Sequence, residues 1–256
     1  MKVLSPTSWI QALANRFGYQ IVKVLNTGDV PFDMNPEFKS IYERSRDYTQ
    51  TYVANLYSLY TAINYVVKND IPGDVVELGV WKGGSMMAAA LSLMGAGDAS
   101  KNIWLYDTFT GMSEPSREDI QTFDGMDAFG KWKKNEHGTI NQWNYSPLEI
   151  VKQNMLSTDF PSDRLSFVKG PVEETIPDTL PENISILRLD MDWYNPTYHA
   201  LVHLFPKLAN KGVLIIDDYG WWQGCKKACD TYFEETRNVV MLNRIDVGAR
   251  VMVKSS

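Results

Sequence analysis

Ile71-Pro-Gly-Asp-Val-Val-Glu-Leu-Gly-Val-Trp-Lys-Gly-Gly-Ser85 joins a helix stop, a buried strand and a helix start in one short run. Pro72-Gly73 ends a helical stripe over 51–69, in which Val53, Leu56, Leu59, Tyr60, Ile63, Val66 and Val67 recur at helical spacing. Asp74 to Gly79 reads as a buried strand, Trp81 to Ser85 as a turn, and Met86 to Met94 as a small-residue helix. A strand-turn-helix with glycines in the turn is the ligand-binding corner of an α/β sheet. The G-x-G-x-x-G pattern is missing, and the bulky Trp81 and Lys82 fill the turn, which points to a cofactor without a pyrophosphate.

Outward from this corner, apolar runs at 102–107, 164–169, 184–190 and 212–218 alternate with helical patterns at 147–157, 171–177, 195–210 and 223–236. That alternation predicts a largely parallel sheet with crossover helices. Residues 239–244 and 250–254 flank Asp246-Val-Gly248 and suit a hairpin, an antiparallel edge on the parallel sheet. Residues 108–146 show no period, yet carry Phe123, Phe129, Trp132, Trp143 and Tyr145, too many aromatics for typical disorder; a lid at 110–146 is expected. The chain divides into a helical extension or cap, 1–69, and a sheet domain, 70–256. Near the N-terminus, Trp9, Ile10, Leu13, Phe17, Ile21, Val22 and Leu25 have helical spacing broken by polar residues, suiting docking or oligomerisation.

Composition narrows the class. The 256 residues are 44% hydrophobic and 22% charged, an ordinary globule large enough to need no disulfide or metal staple for stability. With 25 basic and 31 acidic residues the net charge is -6, which argues against a nucleic-acid binder. No apolar run reads as a signal peptide or membrane span, so the cytoplasm is the expected compartment. The two cysteines, Cys225 and Cys229, fit small buried residues on one helix face. His199 and His203 have metal spacing but no third ligand, and packing suits them better.

Ligands of open α/β sheets bind beyond the carboxyl ends of the strands, and here those ends are acidic: Glu77 with Gly79, Asp107, Asp190, and the pair Asp217-Asp218, with Gly170 ending the remaining run. An acidic residue at Asp107 can accept both hydroxyls of a ribose, or cap the segment that follows. Asp190 and Asp217 end neighbouring strands, so Asp190, Asp217 and Asp218 can meet; three such carboxylates repel unless a cation neutralises them. An all-oxygen set is hard and suits Mg²⁺. A second reading takes Asp190-Met191-Asp192 as the D-x-D of a metal-dependent nucleotide-sugar glycosyltransferase, which leaves Asp217-Asp218 without a purpose.

The pattern Glu77-x-Gly79-x-x-x-Gly83-x-Ser85 is similar to motif I of class I S-adenosylmethionine (SAM)-dependent methyltransferases. Together with Tyr106-Asp-Thr-Phe-Thr-Gly-Met112, Leu187-Arg-Leu-Asp-Met-Asp-Trp-Tyr194 and Gly212-Val-Leu-Ile-Ile-Asp-Asp-Tyr219, it resembles the macrocin O-methyltransferase family over about residues 50 to 236. The resemblance implies a Rossmann-like seven-stranded, mostly parallel sheet and methyl transfer to a sugar hydroxyl of a glycosylated natural product or glycan. It implies SAM at Glu77, Gly79, Val80, Gly83, Ser85, Asp107, Thr108, Gly170 and Asp190, and Mg²⁺ at Asp190, Asp217 and Asp218. Asp190, at the junction of cofactor and metal, is the expected general base, with His137 in the lid the alternative. Tyr52, His137, Trp193, Tyr194 and Tyr219 are the expected acceptor contacts, and a homodimer or higher homo-oligomer the expected assembly. The lid and the N-terminal residues depart most from the family pattern, so the acceptor is the part the resemblance reaches least.

Overall fold

The computed structural model describes residues 6–17, 30–31 and 33–255. Residues 1–34 and 35–256 are two units. In the first, α1 (Pro6–Arg16) is the helix expected near the N-terminus, while Ile21, Val22 and Leu25 lie outside the described residues.

The second unit begins with α2 (Pro36–Ser45), whose Asn35 side chain accepts the Glu37 backbone N–H, and α3 (Val53–Lys68). Then come β1 (Asp74–Leu78), α4 (Gly84–Gly95), β2 (Ile103–Asp107), α5 (Ala128–Lys134) and the short hairpin β3 (Glu136–His137) with β4 (Ile140–Asn141). The remainder is α6 (Leu148–Leu156), β5 (Leu165–Lys169), α7 (Val172–Thr175), β6 (Ile184–Leu189), α8 (Tyr194–Leu204), β7 (Leu208–Ile216), α9 (Gln223–Glu235), β8 (Asn243–Arg244) and β9 (Arg250–Val253).

Seven strands form one sheet in the order β5-β2-β1-β6-β7-β9-β8. The first five are parallel and β9 and β8 run antiparallel, as the alternation and the hairpin spacing predict. Side chains alternate across it. Val75, Ile103, Leu105, Ile186, Val213 and Ile215 join one core with α3, α4 and α6, whereas Val76, Leu78, Tyr106, Leu187, Leu189 and Leu214 join the other with α8 and α9. Each fully buried aliphatic side chain contributes roughly 1.5–3 kcal/mol, so the central strands are held from both faces.

Several boundaries differ from expectation. The C-terminal run 239–244 forms a strand only at Asn243–Arg244, because β8 pairs with β9 alone, and Val239 is 97% exposed. The pattern at 195–210 is helix only to Leu204, and β7 begins at Leu208, which pairs with Ile184. The helix expected at 171–177 is a single turn. Residues 108–146, which show no period, hold α5, the β3-β4 hairpin and bridges from Ile120 to Asp127 and Gln121 to Trp222. Among the described residues, no helix is long and apolar enough to cross a membrane.

Candidate active site

The carboxyl ends of β2, β1, β6 and β7 face one cleft of about 300 Å³. Register brings its parts together: Glu77 on β1 pairs with Arg188 on β6, and Leu189 pairs with Ile216 on β7, so Asp190 and Asp217 leave neighbouring strands side by side. Gly79 ends β1 with φ 83°, and a Cβ there would stand 1.8 Å from the Asp190 carbonyl oxygen; only glycine permits this approach.

One carboxylate oxygen from each of Asp190, Asp217 and Asp218 lies within 4.8 Å of the others, as the strand-end acids predict. Sequence reading missed what holds them. Arg188, 1% exposed, ion-pairs with Glu77 and Asp217, reaches Asp190 Oδ2 at 2.7 Å and donates to Thr51 Oγ1 at 3.0 Å. Asn55 on α3 donates to Asp217. Burial opposes the charge of Arg188, but Asp217, Asp190 and Glu77 outweigh it and raise its pKa well above the ordinary value. A signal was present: an arginine inside a fully buried strand needs partners.

One guanidinium does not neutralise the cluster. Burial raises Glu77 to about 7 against the pull of Arg188, and raises Asp217 to about 7. Asp218 is raised well above its ordinary value by burial, then by Asp192 and Asp190. A hard, all-oxygen set with this surplus of negative charge fits a divalent cation. Asn55 Oδ1 is also a buried acceptor without a partner, in a cleft whose wall carries Asp107, Asp190, Asp192 and Asp246, so a cationic ligand suits the site.

Asp107 already works within the chain. Its Oδ2 accepts the N–H groups of Val80 at 2.9 Å and Trp81 at 3.1 Å, and its Oδ1 that of Phe109 at 2.7 Å. Ser85 donates to Glu77 at 2.6 Å, tying α4 to β1, and Gly83 opens α4 with φ 85°. Gly79, Asp107 and Asp190 line both the cleft and an adjoining pocket that adds Thr108, Gly170 and Val172; Val80 and Ser85 line the cleft. Glu77 and Gly83 do not appear on either wall and support the turn from behind.

The expected acceptor contacts separate. Tyr52 lines the cleft. Trp193 is 1% exposed and donates its indole N–H to Ser113 O at 3.0 Å, so it props the lid from below. Tyr194 stacks on Tyr198 and Tyr219 donates to Asp230 at 2.7 Å, both outside the cleft wall. His137 is exposed on β3, also away from the wall. His199 contacts Ile176 O at 3.0 Å through Nε2, in keeping with a packing role.

Lid residues not singled out complete the site. Asp119, fully buried, accepts the Ser116 N–H and hydroxyl at 2.6 and 2.8 Å and the Tyr194 N–H at 2.8 Å, pinning the lid to the start of α8. Lys131 of α5 lines the cleft with its ammonium 3.8 Å from the Trp143 ring centroid. Trp143, Trp193 and Trp222 meet edge-on or tilted, at centroid distances of 4.8 to 6.0 Å.

The acids whose oxygens converge with Asp190 in one metal-sized set are, among the described residues, Asp217 and Asp218, and Asp192 is not part of that set. Asp192 instead adopts φ 61°, donates its N–H to Asp218 Oδ2 at 3.0 Å and lines the cleft. Burial and Asp190 raise its carboxyl to about 8, against the pull of Trp222 and Lys131.

Comparison with known proteins agrees with this geometry. The chain is 31% identical to the 8-demethyl-8-(2,3-dimethoxy-alpha-L-rhamnosyl)-tetracenomycin-C 4'-O-methyltransferase of Streptomyces olivaceus over 185 residues, 72% of this chain and 67% of that protein. It is 29% identical to the mycinamicin III 3''-O-methyltransferase of Micromonospora griseorubida, over 75% of this chain and 70% of that one. The solved structure of the O-methyltransferase NovP superposes with a TM-score of 0.71 at 25% identity, covering 82% of this chain and 83% of that chain. The profile described as macrocin-O-methyltransferase (TylF) matches residues 43–254, most of the chain, and the protein therefore belongs to the macrocin-O-methyltransferase family.

Proposed function

We propose that the protein transfers the methyl group of SAM to a hydroxyl of a sugar in a glycosylated small molecule, with Mg²⁺ held by Asp190, Asp217 and Asp218. The observation that carries this reading is the convergence of those carboxylates beside the Gly79 turn, in a cleft rich in acceptors. The relatives' names, which specify O-methylation of a rhamnosyl-tetracenomycin and of mycinamicin III, support the acceptor class. Asp107 and Thr108 hold the ribose, Gly170 borders the adenine side, and the Gly79-to-Ser85 turn holds the amino-acid end.

When bound, Mg²⁺ supplies Lewis acidity toward the acceptor hydroxyl. The chain does the rest. Arg188 fixes the rotamers of Asp190 and Asp217, and Trp143 and Trp222 wall the cleft with apolar surface. As the methyl carbon leaves sulfur for the acceptor oxygen, a carboxylate takes the hydroxyl proton. Asp190 gives one oxygen to Arg188 and stands in the metal set, whereas Asp192 lines the cleft outside that set with its carboxylate uncommitted to a cation, so Asp192 is the better base.

Incubation with SAM, Mg²⁺ and glycosides bearing free vicinal hydroxyls is expected to add one methyl group by mass. SAM binding without transfer to any glycoside would overturn the acceptor class, and tight nucleotide-sugar binding without SAM binding would overturn the whole reading. Asp192→Asn is expected to lower kcat by about 10²–10⁴-fold while Mg²⁺ and SAM still bind. Near-wild-type turnover by that variant returns the base role to Asp190.

A further inference from the structure

Two of the largest exposed hydrophobic side chains stand together at the mouth of the cleft. Tyr52 is 58% and Phe123 57% exposed, and both pack on Trp221. Tyr52 stacks on Trp221 at 6.3 Å with 25° between planes, while Phe123 meets it edge-on at 4.8 Å. The rings come from three separate segments: the residue before α3, the lid, and the loop between β7 and α9. Tyr52 and Trp221 line the cleft together with the carboxylates, and Phe123 extends the surface outward.

The middle ring is firmly seated. Trp221 donates its backbone N–H to Asp218 O at 3.0 Å, and its carbonyl accepts the Thr122 N–H at 2.9 Å. Its indole occupies the space beside Gly248, where a Cβ would stand 1.9 Å from Nε1. Ring faces held open to water are unfavourable unless something covers them.

We infer that these three rings form a ledge binding a flat apolar group attached to the acceptor sugar; this rests on the sugar-methylation reading. Continuity with the cleft argues for that occupant. A sugar with its hydroxyl at Asp190, Asp217 and Asp218 lies in the polar interior, and its substituent meets the rings as the cleft opens at Trp221. The interior offers carboxylates and amides to hydroxyl groups, whereas the ledge offers ring faces, which stack on planar apolar surfaces.

The test uses the full chain with SAM and Mg²⁺ and two probes, methyl and para-nitrophenyl α-L-rhamnopyranoside, with kcat/KM from methylation and Kd from titration calorimetry. The wild type is expected to prefer the aryl glycoside by about tenfold, with Tyr52→Ala/Phe123→Ala bringing the ratio toward unity and Tyr52→Phe preserving it. Both replaced side chains are exposed, and thermal melting checks that the variants fold. Methylation of both probes without preference, or a preference that survives the double substitution, overturns the ledge and leaves the methyl-transfer reading standing. A wild type that neither binds nor methylates either probe overturns the sugar reading, and the ledge with it.

Discussion

Removing the Arg188 guanidinium leaves Glu77, Asp190 and Asp217 facing one another in a buried space. Arg188→Met is expected to destabilise the metal-free protein by about 3–5 kcal/mol, read from chemical denaturation, because one partner of a buried ionic network is lost while the others stay. Arg188→Lys does not rescue it, since a point charge cannot serve three carboxylates and Thr51 from one planar fork. A loss below about 1 kcal/mol for the Met variant would show that the acids reprotonate without strain. At this scale the sequence revealed the acids and hid their keeper. Strand ends announce Asp190, Asp217 and Asp218, but the Arg188 partners Glu77 and Asp217 lie 111 and 29 residues away, joined only by register. Asn55 was equally hidden, a polar residue on the buried stripe of α3 whose partner is 162 residues distant.

Among elements, the lid depends on Asp119. Asp119→Ala is expected to cost about 1–2 kcal/mol through the lost cap at the start of α8. Amide exchange should speed up across 113–127 and the first turn of α8, while β1 and β6 keep their protection. Unchanged exchange in the lid would assign its anchoring to Trp193 and its neighbours alone. The parallel strands were legible because burial on both faces makes them continuous apolar runs. The lid was not: α5 is a seven-residue helix with three lysines, and each strand of its hairpin has two residues, too short for any period to emerge.

For the molecule as a whole, the -6 net charge conceals an uneven distribution, since Glu77, Asp190 and Asp217 share a single guanidinium and Asp192 and Asp218 adjoin them without one. Burial pushes Glu77 and Asp217 up to about 7 and Asp192 up to about 8 in the folded chain, from ordinary values of 4.5 for a glutamate and 3.8 for an aspartate. The folded chain therefore binds more protons than the unfolded chain between about pH 4 and pH 8, and this group's contribution to metal-free stability is lost as pH rises through that window. On the proposed reading Mg²⁺ would bind the deprotonated set and release protons, so its affinity and the melting shift it produces should both grow from about pH 5.5 to pH 8. Scanning fluorimetry with chelator or with Mg²⁺ across that range checks this. A Mg²⁺ shift independent of pH would mean that the three aspartates are already ionised without the ion.

The hydrogen bonds of Asp107 to Val80, Trp81 and Phe109 tie the turn after β1 to the end of β2 through protein groups alone. On the proposed reading the methyl donor meets a loop that these internal hydrogen bonds hold in shape, so its binding should need no reordering of that loop. Its binding heat capacity should follow from the surface of the donor and its pocket alone, without the excess that accompanies coupled folding.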